Sequence, residues 1–292
     1  MTSRPPETAG SAPFGPLVSG DWLEGHLGGP DLVVLDASCY LPTSGRDAFR
    51  EYQERHIPGA VFFDLDRASD PASPWPHMFP GAEPFARYIG SLGVGSTARV
   101  VVYDGSGANL SAARAWWMLR MVGHREVGIL DGGLVKWCAE GRATRSGTEA
   151  PLPATFLPSR REPEIATRDE VKEALARGAV RVVDVRAADR FRGTAPEPRP
   201  GIRSGHMPGA VNLPYTELHA ADGTLLGQAE LRRRLLAAGV DPGRPIIATC
   251  GSGTSACALL LALEVLGTGG HRLYDGAWTE WAGSGMPVVT GD

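Results

Sequence analysis

The sequence predicts an α/β protein made of two tandem copies of one domain, each a parallel sheet flanked by helices. Three observations carry this prediction. The chain has 292 residues, about the length of two ordinary domains. Short apolar runs of strand length alternate with helical patterns. Motifs of the first half return in the second half in the same order.

The repeated motifs establish the duplication. His56-Ile-Pro-Gly-Ala-Val returns 150 residues later as His206-Met-Pro-Gly-Ala-Val. The other pairs are LVVLDAS from Leu32 with RVVDVRA from Arg181, RVVVYDGSG from Arg99 with PIIATCGSG from Pro245, and LDGGLVKW from Leu130 with YDGAWTEW from Tyr274. The offset is 146 from Asp104 to Cys250 and 144 from Asp131 to Asp275. Because order and offset are nearly preserved, we interpret the chain as a tandem duplication.

The composition of each segment predicts the domain boundaries. Residues 1–16 are rich in Pro, Gly, Ser and Thr without the apolar segment of a signal peptide, so we expect a disordered tail. The first domain is predicted over 17–140 and the second over 164–292. Between them, residues 141–163 are rich in Pro, Ser, Thr and Ala, which favours a linker.

Strands and helices alternate within each predicted domain. Val-rich runs bounded by Asp, Gly or Pro predict buried strands at Leu32–Leu35, Val100–Tyr103, Val182–Val185 and Pro245–Thr249. Thr167 and Glu170 have the spacing of a capping box ahead of a helix over Val171–Arg177. Further helices are predicted over Glu230–Ala238 and Ser255–Leu266, and this alternation favours parallel sheets.

Charge and cysteine content exclude several classes of protein. The net charge is −4 with no block of one sign, so neither nucleic-acid binding nor a basic membrane anchor is indicated. The longest apolar stretch, Ala256–Leu263, is too short to span a bilayer. Four cysteines are too few for a disulfide scaffold, which predicts a soluble cytoplasmic protein with free thiols. No Cys/His cluster has the spacing of metal ligands.

Cys250 is the candidate nucleophile. It directly follows a predicted parallel strand, and ligands bind beyond the carboxyl ends of such strands. The loop Gly251-Ser252-Gly253-Thr254-Ser255 then leads into an apolar helix. Backbone N–H groups of this loop and the positive end of the helix stabilise a thiolate. We therefore expect these N–H groups to surround the sulfur.

Other interpretations of this loop are weaker. A cysteine at a strand end is often a small buried hydrophobe. The loop also fits a loose dinucleotide pattern with Asp275 as the ribose-binding acid, but only 17 residues follow Asp275, too few to complete such a domain. A phosphate-cleaving cysteine loop needs an arginine where Ala256 stands, and no Gly-Lys-Ser/Thr follows as in a nucleotide-binding P-loop.

Together, the repeated His-x-Pro-Gly-Ala motifs, the Asp-Gly…Trp ends and Cys250-Gly-Ser-Gly resemble the two-domain rhodanese-type sulfurtransferases over about residues 17–289. The loop is similar to that of the branch using 3-mercaptopyruvate. The thiosulfate branch typically has Arg and Lys after the cysteine, whereas this loop is neutral and suits a monoanionic donor. Thr254-Ser255 stand where the family usually has Val-Thr, and both still supply N–H groups.

The resemblance implies which residues hold the donor. Arg190 and Arg199 match the family pair that binds the donor's carboxylate and keto oxygen. Guanidinium groups bind carboxylates bidentately, so the assignment is chemically sound. The alternative is an Arg-rich loop that stays solvated, as we expect of Arg192 and Arg203.

The resemblance also implies a proton relay. Asp66 and His77 match an Asp–His pair that acts with the loop serine, here Ser252. A hydroxyl polarised by a histidine, itself oriented by a carboxylate, can move a proton as a carbon–sulfur bond breaks. The alternative is a surface histidine beside a helix-capping aspartate.

The implied reaction moves sulfur from 3-mercaptopyruvate through a Cys250 persulfide to cyanide or a thiol such as a thioredoxin-like dithiol. Pyruvate leaves, and no cofactor or metal is needed. A thiosulfate sulfurtransferase, or a sulfur-carrier or redox-sensing module that does not turn over, are the alternatives. Asp104 replaces the cysteine in the first copy, which is therefore predicted to be inactive.

Several conspicuous residues are predicted to be structural. His56 and His206 recur in both copies, although only one copy has the cysteine. Cys257 is predicted to be buried, and the tryptophans are predicted to form core or cleft wall: Trp116, Trp117, Trp137, Trp278 and Trp281.

Overall fold

Two five-stranded parallel sheets form the two halves of the chain in the computed structural model, which describes residues 15–159 and 164–292. The first sheet has the order β1-β5-β4-β2-β3, with β1 Leu17–Val18, β2 Leu32–Asp36, β3 Ala60–Phe62, β4 Arg99–Tyr103 and β5 Val127–Leu130. The second has the order β6-β10-β9-β7-β8, with β6 Ile165–Ala166, β7 Arg181–Asp184, β8 Val211–Asn212, β9 Ile246–Thr249 and β10 Arg272–Tyr274. The predicted fold class is confirmed.

Helices connect the strands in both halves. In the first half they are α1 Gly20–His26, α2 Ala48–Glu54, α3 Ala82–Ser91, α4 Leu110–Met121 and α5 Gly133–Ala139. In the second half they are α6 Arg168–Arg177, α7 Ala188–Arg192, α8 Gln228–Ala237, α9 Ala256–Val265 and α10 Ala277–Gly283. Short 3₁₀ turns lie at Pro42–Ser44 and Tyr215–Leu218. No helix in the described parts of the chain is long and apolar enough to cross a membrane.

The predicted elements exist, with ends shifted by a few residues. The capping box at Thr167 and Glu170 is formed, and α6 begins directly after it at Arg168. The strand predicted over Val182–Val185 is observed one residue earlier, at Arg181–Asp184. The N–H of Val185 still donates to the Thr249 carbonyl oxygen, just after the strand ends. The predicted tail falls largely on residues 1–14, and the end of the predicted linker falls on 160–163; both lie outside the described residues.

One hydrophobic core runs through both halves. Helices α4 and α9, the equivalent helices of the two copies, pack against each other, and α9 is buried along Ala256–Leu263. A helix that is apolar on all sides is buried on all sides, between its own sheet and another part of the protein. The same core cluster contains Val100 and Val102 of the first sheet and Ile246 and Ala248 of the second. The two copies are therefore packed together through their central helices.

The recurring histidines serve the backbone of their own copies. His56 is fully buried, with Nδ1 2.8 Å from the Tyr52 carbonyl oxygen. His206 stacks on Phe191 at 3.8 Å between ring centres, with Nδ1 2.9 Å from the Phe191 carbonyl oxygen. The predicted core tryptophans are all buried: Trp116, Trp117, Trp137, Trp278 and Trp281.

Candidate active site

Cys250 lies at the carboxyl end of β9, at the floor of a cavity of about 240 Å³ between the two copies. The residue is 2% exposed. Its carbonyl oxygen accepts the N–H of Trp278, and the carbonyl oxygen of Gly251 accepts both the N–H and the hydroxyl of Thr279. These bonds to the start of α10 fix the beginning of the loop.

The rest of the loop leaves its donors free. Within the described residues, the N–H groups of Gly251, Ser252, Gly253, Thr254 and Ser255 donate to no acceptor. Gly253 has φ +74°, and a Cβ there would lie 2.8 Å from the Asp275 carbonyl oxygen, so only glycine fits. Buried N–H groups are normally paired, so a row of N–H groups without an acceptor directly after Cys250 makes this loop a candidate site for an anion.

The two candidate donor-binding arginines line the same cavity but differ in their partners. Arg190 Nη2 donates to Glu197 Oε2 at 2.5 Å, and Arg190 Nε donates to Glu197 Oε1 at 3.3 Å. Arg199 donates no hydrogen bond to any of the residues that the structure describes. Burial lowers the pKa of Arg199 from its usual value, while Cys250 acts in the opposite direction. Among the described residues, Arg199 is thus a half-buried cation that no carboxylate contacts directly, with Asp66 acting on it from a greater distance.

Asp66, His77 and Ser252 form a chain across the interface between the copies. His77 Nδ1 lies 3.3 Å from Ser252 Oγ and 3.1 Å from Thr254 Oγ1. On its other side, His77 Nε2 lies 3.3 Å from Asp66 Oδ1. The hydrogen bond from His77 holds the pKa of Asp66 below its usual value. With Nε2–H donating to Asp66, Nδ1 accepts a loop hydroxyl proton. Asp66 itself does not line this cavity; it contacts His77, and its charge favours the charged form of Arg199.

A buried ion pair holds the His77 segment in place. His77 has φ +62°, the left-handed region that a non-glycine residue seldom adopts. Its carbonyl oxygen accepts from Arg114 Nη2 at 2.5 Å, and Arg114 Nη1 lies 2.7 Å from Asp275 Oδ1. Asp275 Oδ2 accepts the N–H of Phe79 at 2.7 Å. This pair of fully buried side chains therefore joins the two copies and fixes both sides of His77.

Sequence reasoning missed this pair. The sequence offers Asp275 only as the ribose-binding acid of a dinucleotide pattern, whereas in the structure Asp275 lies at the interface between the copies. The available signal was Arg114 itself, a charged residue in the middle of the otherwise apolar run of α4. Thr254 was expected to supply only its N–H, yet its hydroxyl also contacts His77.

Cys39 is a second thiol in the cavity wall, which the sequence did not single out. Burial, with a contribution from Asp66, raises the pKa of Cys39 to about 12. Cys257 is buried as predicted, and burial raises its pKa to about 12 as well. Burial therefore disfavours the thiolate, the nucleophilic form, at both of these cysteines.

A comparison with known families fits this architecture. The model of the rhodanese-like domain matches residues 19–140 and again residues 167–284. The chain belongs to the rhodanese family. Human 3-mercaptopyruvate sulfurtransferase is 47% identical over 270 residues, which cover 91% of each chain. Bovine thiosulfate sulfurtransferase is 42% identical over 271 residues, again 91% of each chain.

Solved structures of the rhodanese family agree. The crystal structure of SseA from Escherichia coli, described as a 3-mercaptopyruvate sulfotransferase, is 39% identical with a TM-score of 0.82. It covers 90% of this chain and 99% of that one. The Tum1 protein from Saccharomyces cerevisiae is 31% identical with a TM-score of 0.86, covering 96% and 99% of the two chains.

Arg192 and Arg203, the two nearby arginines that the sequence predicts to stay solvated, have different partners. Arg192 is half-exposed and pairs with Asp292 at the end of the chain, close to the expectation of a solvated side chain. Arg203 does more than stay solvated, because its guanidinium donates to the carbonyl oxygens of Ala282 and Met286. It fastens the end of α10 and takes no part in the cavity.

Proposed function

We propose that this protein transfers sulfane sulfur from 3-mercaptopyruvate to a thiol or cyanide through a persulfide on Cys250. The observation that carries the proposal is one small cavity that holds a buried cysteine, a row of free loop N–H groups and two arginines. The cysteine binds sulfur, the loop N–H groups stabilise the anionic persulfide, and the arginines bind a carboxylate. Relatives named for this activity support the choice of donor.

In the first half-reaction, the Cys250 thiolate attacks the donor's sulfur, and a sulfur–sulfur bond forms as the donor's carbon–sulfur bond breaks. The bonding electrons pass to the pyruvate enolate. The enolate takes up one proton and the donor thiol gives up one, so Cys250 persulfide anion and pyruvate are the balanced products. Arg199 and Arg190 orient the donor's carboxylate and keto oxygen throughout.

Ser252, His77 and Asp66 supply the proton path. The Ser252 hydroxyl contacts His77 Nδ1, and Ser252 lines the same cavity as Cys250, so a proton can pass between the leaving enolate and the imidazole. Asp66 holds the imidazole in one tautomer, as a carboxylate does in other relays. The first copy, although it lacks the cysteine, thereby contributes two side chains to the reaction.

In the second half-reaction, an acceptor thiolate attacks the outer sulfur, and the Cys250 thiolate leaves. A dithiol of the thioredoxin type can then release hydrosulfide by closing its own disulfide, whereas cyanide leaves as thiocyanate. No cofactor takes part in either step. All four cysteines are free thiols, which fits a reducing compartment such as the cytoplasm.

Intact-mass analysis after mixing the protein with 3-mercaptopyruvate tests the proposal. The wild type is expected to gain one sulfur atom and to release one equivalent of pyruvate. Cys250→Ser is expected to gain no sulfur atom. The matched control is Cys257→Ser, the same change in the first turn of α9, which should still gain one sulfur atom. A sulfur atom gained by Cys250→Ser would overturn the assigned nucleophile.

Thiosulfate is the second candidate donor, because relatives named thiosulfate sulfurtransferase are 42% identical over 91% of the chain. Steady-state kinetics with both donors decide between them, and a much higher kcat/KM for thiosulfate would reject our choice. A carrier that does not turn over makes a different prediction: Arg190→Ala would then form persulfide at the wild-type rate. We expect at least a tenfold loss instead, since one charge-assisted hydrogen bond is worth about 1.5–3 kcal/mol.

A further inference from the structure

Glu197 is a buried carboxylate placed between two arginines beside the donor site. Its side chain is 4% exposed. Glu197 Oε1 accepts from Arg186 Nη1 at 2.7 Å, and Glu197 Oε2 accepts from Arg190 Nη2 at 2.5 Å. Glu197 does not line the cavity, so it acts on a donor only through Arg190.

Arg186 does not need the charge of Glu197, because it already has a carboxylate of its own. Arg186 Nη2 donates to Asp184 Oδ2 at 2.7 Å and Arg186 Nε donates to the same oxygen at 2.9 Å. Both side chains are almost fully buried. Asp184 therefore balances Arg186, and the negative charge of Glu197 balances Arg190.

Together, Arg190, Arg199 and Glu197 carry one net positive charge at the donor site. Arg190 can still donate hydrogen bonds to a bound donor, but its charge is cancelled by Glu197. Among the described residues, no carboxylate lies within hydrogen-bond or ion-pair distance of Arg199, and Asp66 acts on it only as a more distant charge; the Arg199 side chain lines the same cavity as Cys250. The loop from Gly251 to Ser255 adds N–H groups but no charged side chain.

We propose that Glu197 is a specificity-determining residue: by cancelling Arg190 it sets the donor site to one positive charge and so favours monoanionic over dianionic sulfur donors. This inference rests on the proposed function and names the feature that selects its donor. A 3-mercaptopyruvate monoanion balances Arg199. A thiosulfate dianion brings one further negative charge close to the Cys250 thiolate, and like charges in a half-buried site repel.

The decisive variant is Glu197→Gln, which keeps the size and one acceptor oxygen but removes the charge. We expect the ratio of kcat/KM for thiosulfate to kcat/KM for 3-mercaptopyruvate to rise at least tenfold, mainly through a lower KM for thiosulfate. That KM should also become more sensitive to salt, because the binding gains a charge. Glu230→Gln is the matched control, since Glu230 also pairs with two arginines, Arg233 and Arg234, but on the surface of α8.

Two further measurements keep the inference testable if Glu197→Gln folds poorly. Glu197→Asp retains the charge, so its donor ratio should stay at the wild-type value even if both rates fall. In the wild type, glyoxylate, a monoanion, should compete with the donor at least tenfold more tightly than oxalate, a dianion of similar size. Equal inhibition by the two anions would overturn the inference.

The outcomes separate this inference from the proposed function. If the wild type releases no pyruvate from 3-mercaptopyruvate, the proposed function is wrong. If the wild type turns over but Glu197→Gln lowers kcat/KM for both donors by the same factor, Glu197 only positions Arg190 and the charge argument is wrong. A shifted ratio in Glu230→Gln would also count against it.

Discussion

The two copies use the same loop in opposite ways. In the first copy, Asp104 stands at the position of Cys250, and its carboxylate accepts the N–H groups of Ser106, Ser111 and Ala112 at 2.8–3.0 Å. In the second copy, the N–H groups of the loop after Cys250 have no acceptor within the part of the chain that the structure describes. The first copy therefore fills its loop with its own carboxylate. The difference supports the proposal that the loop of the second copy is open for an anion that binds and leaves.

The interface between the copies shows the same difference. Asp131 and Asp275 occupy equivalent positions, and each accepts an N–H from the opposite copy, from Leu225 at 2.8 Å and from Phe79 at 2.7 Å. Among the described residues, Asp275 also forms an ion pair, with Arg114, whereas Asp131 forms none; the equivalent of Arg114 on α9 is Leu260. The duplication supplied a symmetric contact, and the side that carries His77 has an additional ion pair.

The largest expected effect comes from moving the cysteine from the loop of the second copy to the loop of the first. The double variant Asp104→Cys with Cys250→Ser should lose at least about 10³-fold in sulfur transfer, because a correctly spaced cysteine is not sufficient. Gly223 of the second copy packs on the loop of the first, where a Cβ would lie 2.3 Å from the Gly107 carbonyl oxygen, so the second copy covers this part of the loop. Pyruvate release measures the effect. Asp104→Cys alone should keep most activity, and a double variant that turns over would show that the copies are interchangeable.

Breaking the additional ion pair gives the next largest effect. Arg114→Leu copies the residue of the second copy but leaves Asp275 buried without a cation, which should cost about 3–5 kcal/mol of unfolding free energy. Persulfide formation should also slow, because His77 loses the donor to its carbonyl oxygen. Urea unfolding and rapid-quench mass analysis measure the two effects. Arg120→Leu on the same helix, which removes a partly exposed pair with Glu264, should cost about 1 kcal/mol or less; equal losses would show that burial of the pair does not matter.

A buried aspartate at the end of the second strand gives a third contrast, this time in pH dependence. Asp184 has Arg186 as its partner, whereas Asp36 has Ser38 at that position, and burial raises the pKa of Asp36 from 3.8 to about 6. Because folded Asp36 binds its proton more tightly than the unfolded chain does, its contribution is favourable below pH 4 and is lost as the pH rises to 6.

Asp36→Asn should therefore stabilise the protein at pH 7 by up to about 3 kcal/mol, with the advantage disappearing near pH 4. Asp184→Asn should have the opposite sign at pH 7, because it leaves Arg186 buried with one partner fewer. Urea unfolding of both variants at the two pH values measures this. Equal stability of the wild type and Asp36→Asn at pH 7 would contradict the raised pKa of Asp36.

The contrast between the copies also explains how much the sequence could predict. The duplication, the alternation of strands and helices within each copy, and Cys250 as candidate nucleophile follow from motifs whose residues are close together in the chain. The contact of His77 with Ser252 joins residues 175 positions apart and was reached only through the family resemblance. Arg114 with Asp275 could not be paired, because a sequence does not show which faces of two copies meet. The free N–H groups of the loop become visible only when every backbone hydrogen bond has been assigned.

The smallest expected effect tests whether the interface is as unequal as the ion pair suggests. Asp131→Asn keeps an oxygen for the Leu225 N–H and removes a carboxyl whose pKa burial has raised, so unfolding free energy should change by less than about 1 kcal/mol. Asp275→Asn, the same change at the equivalent position, leaves Arg114 uncompensated and should cost about 3 kcal/mol or more. Urea unfolding at pH 7 measures both, and the rate of persulfide formation should fall only in Asp275→Asn. Equal losses would mean that the first copy's contact is as strong as the second's, and that the position of His77 depends on the whole interface and not on this one pair.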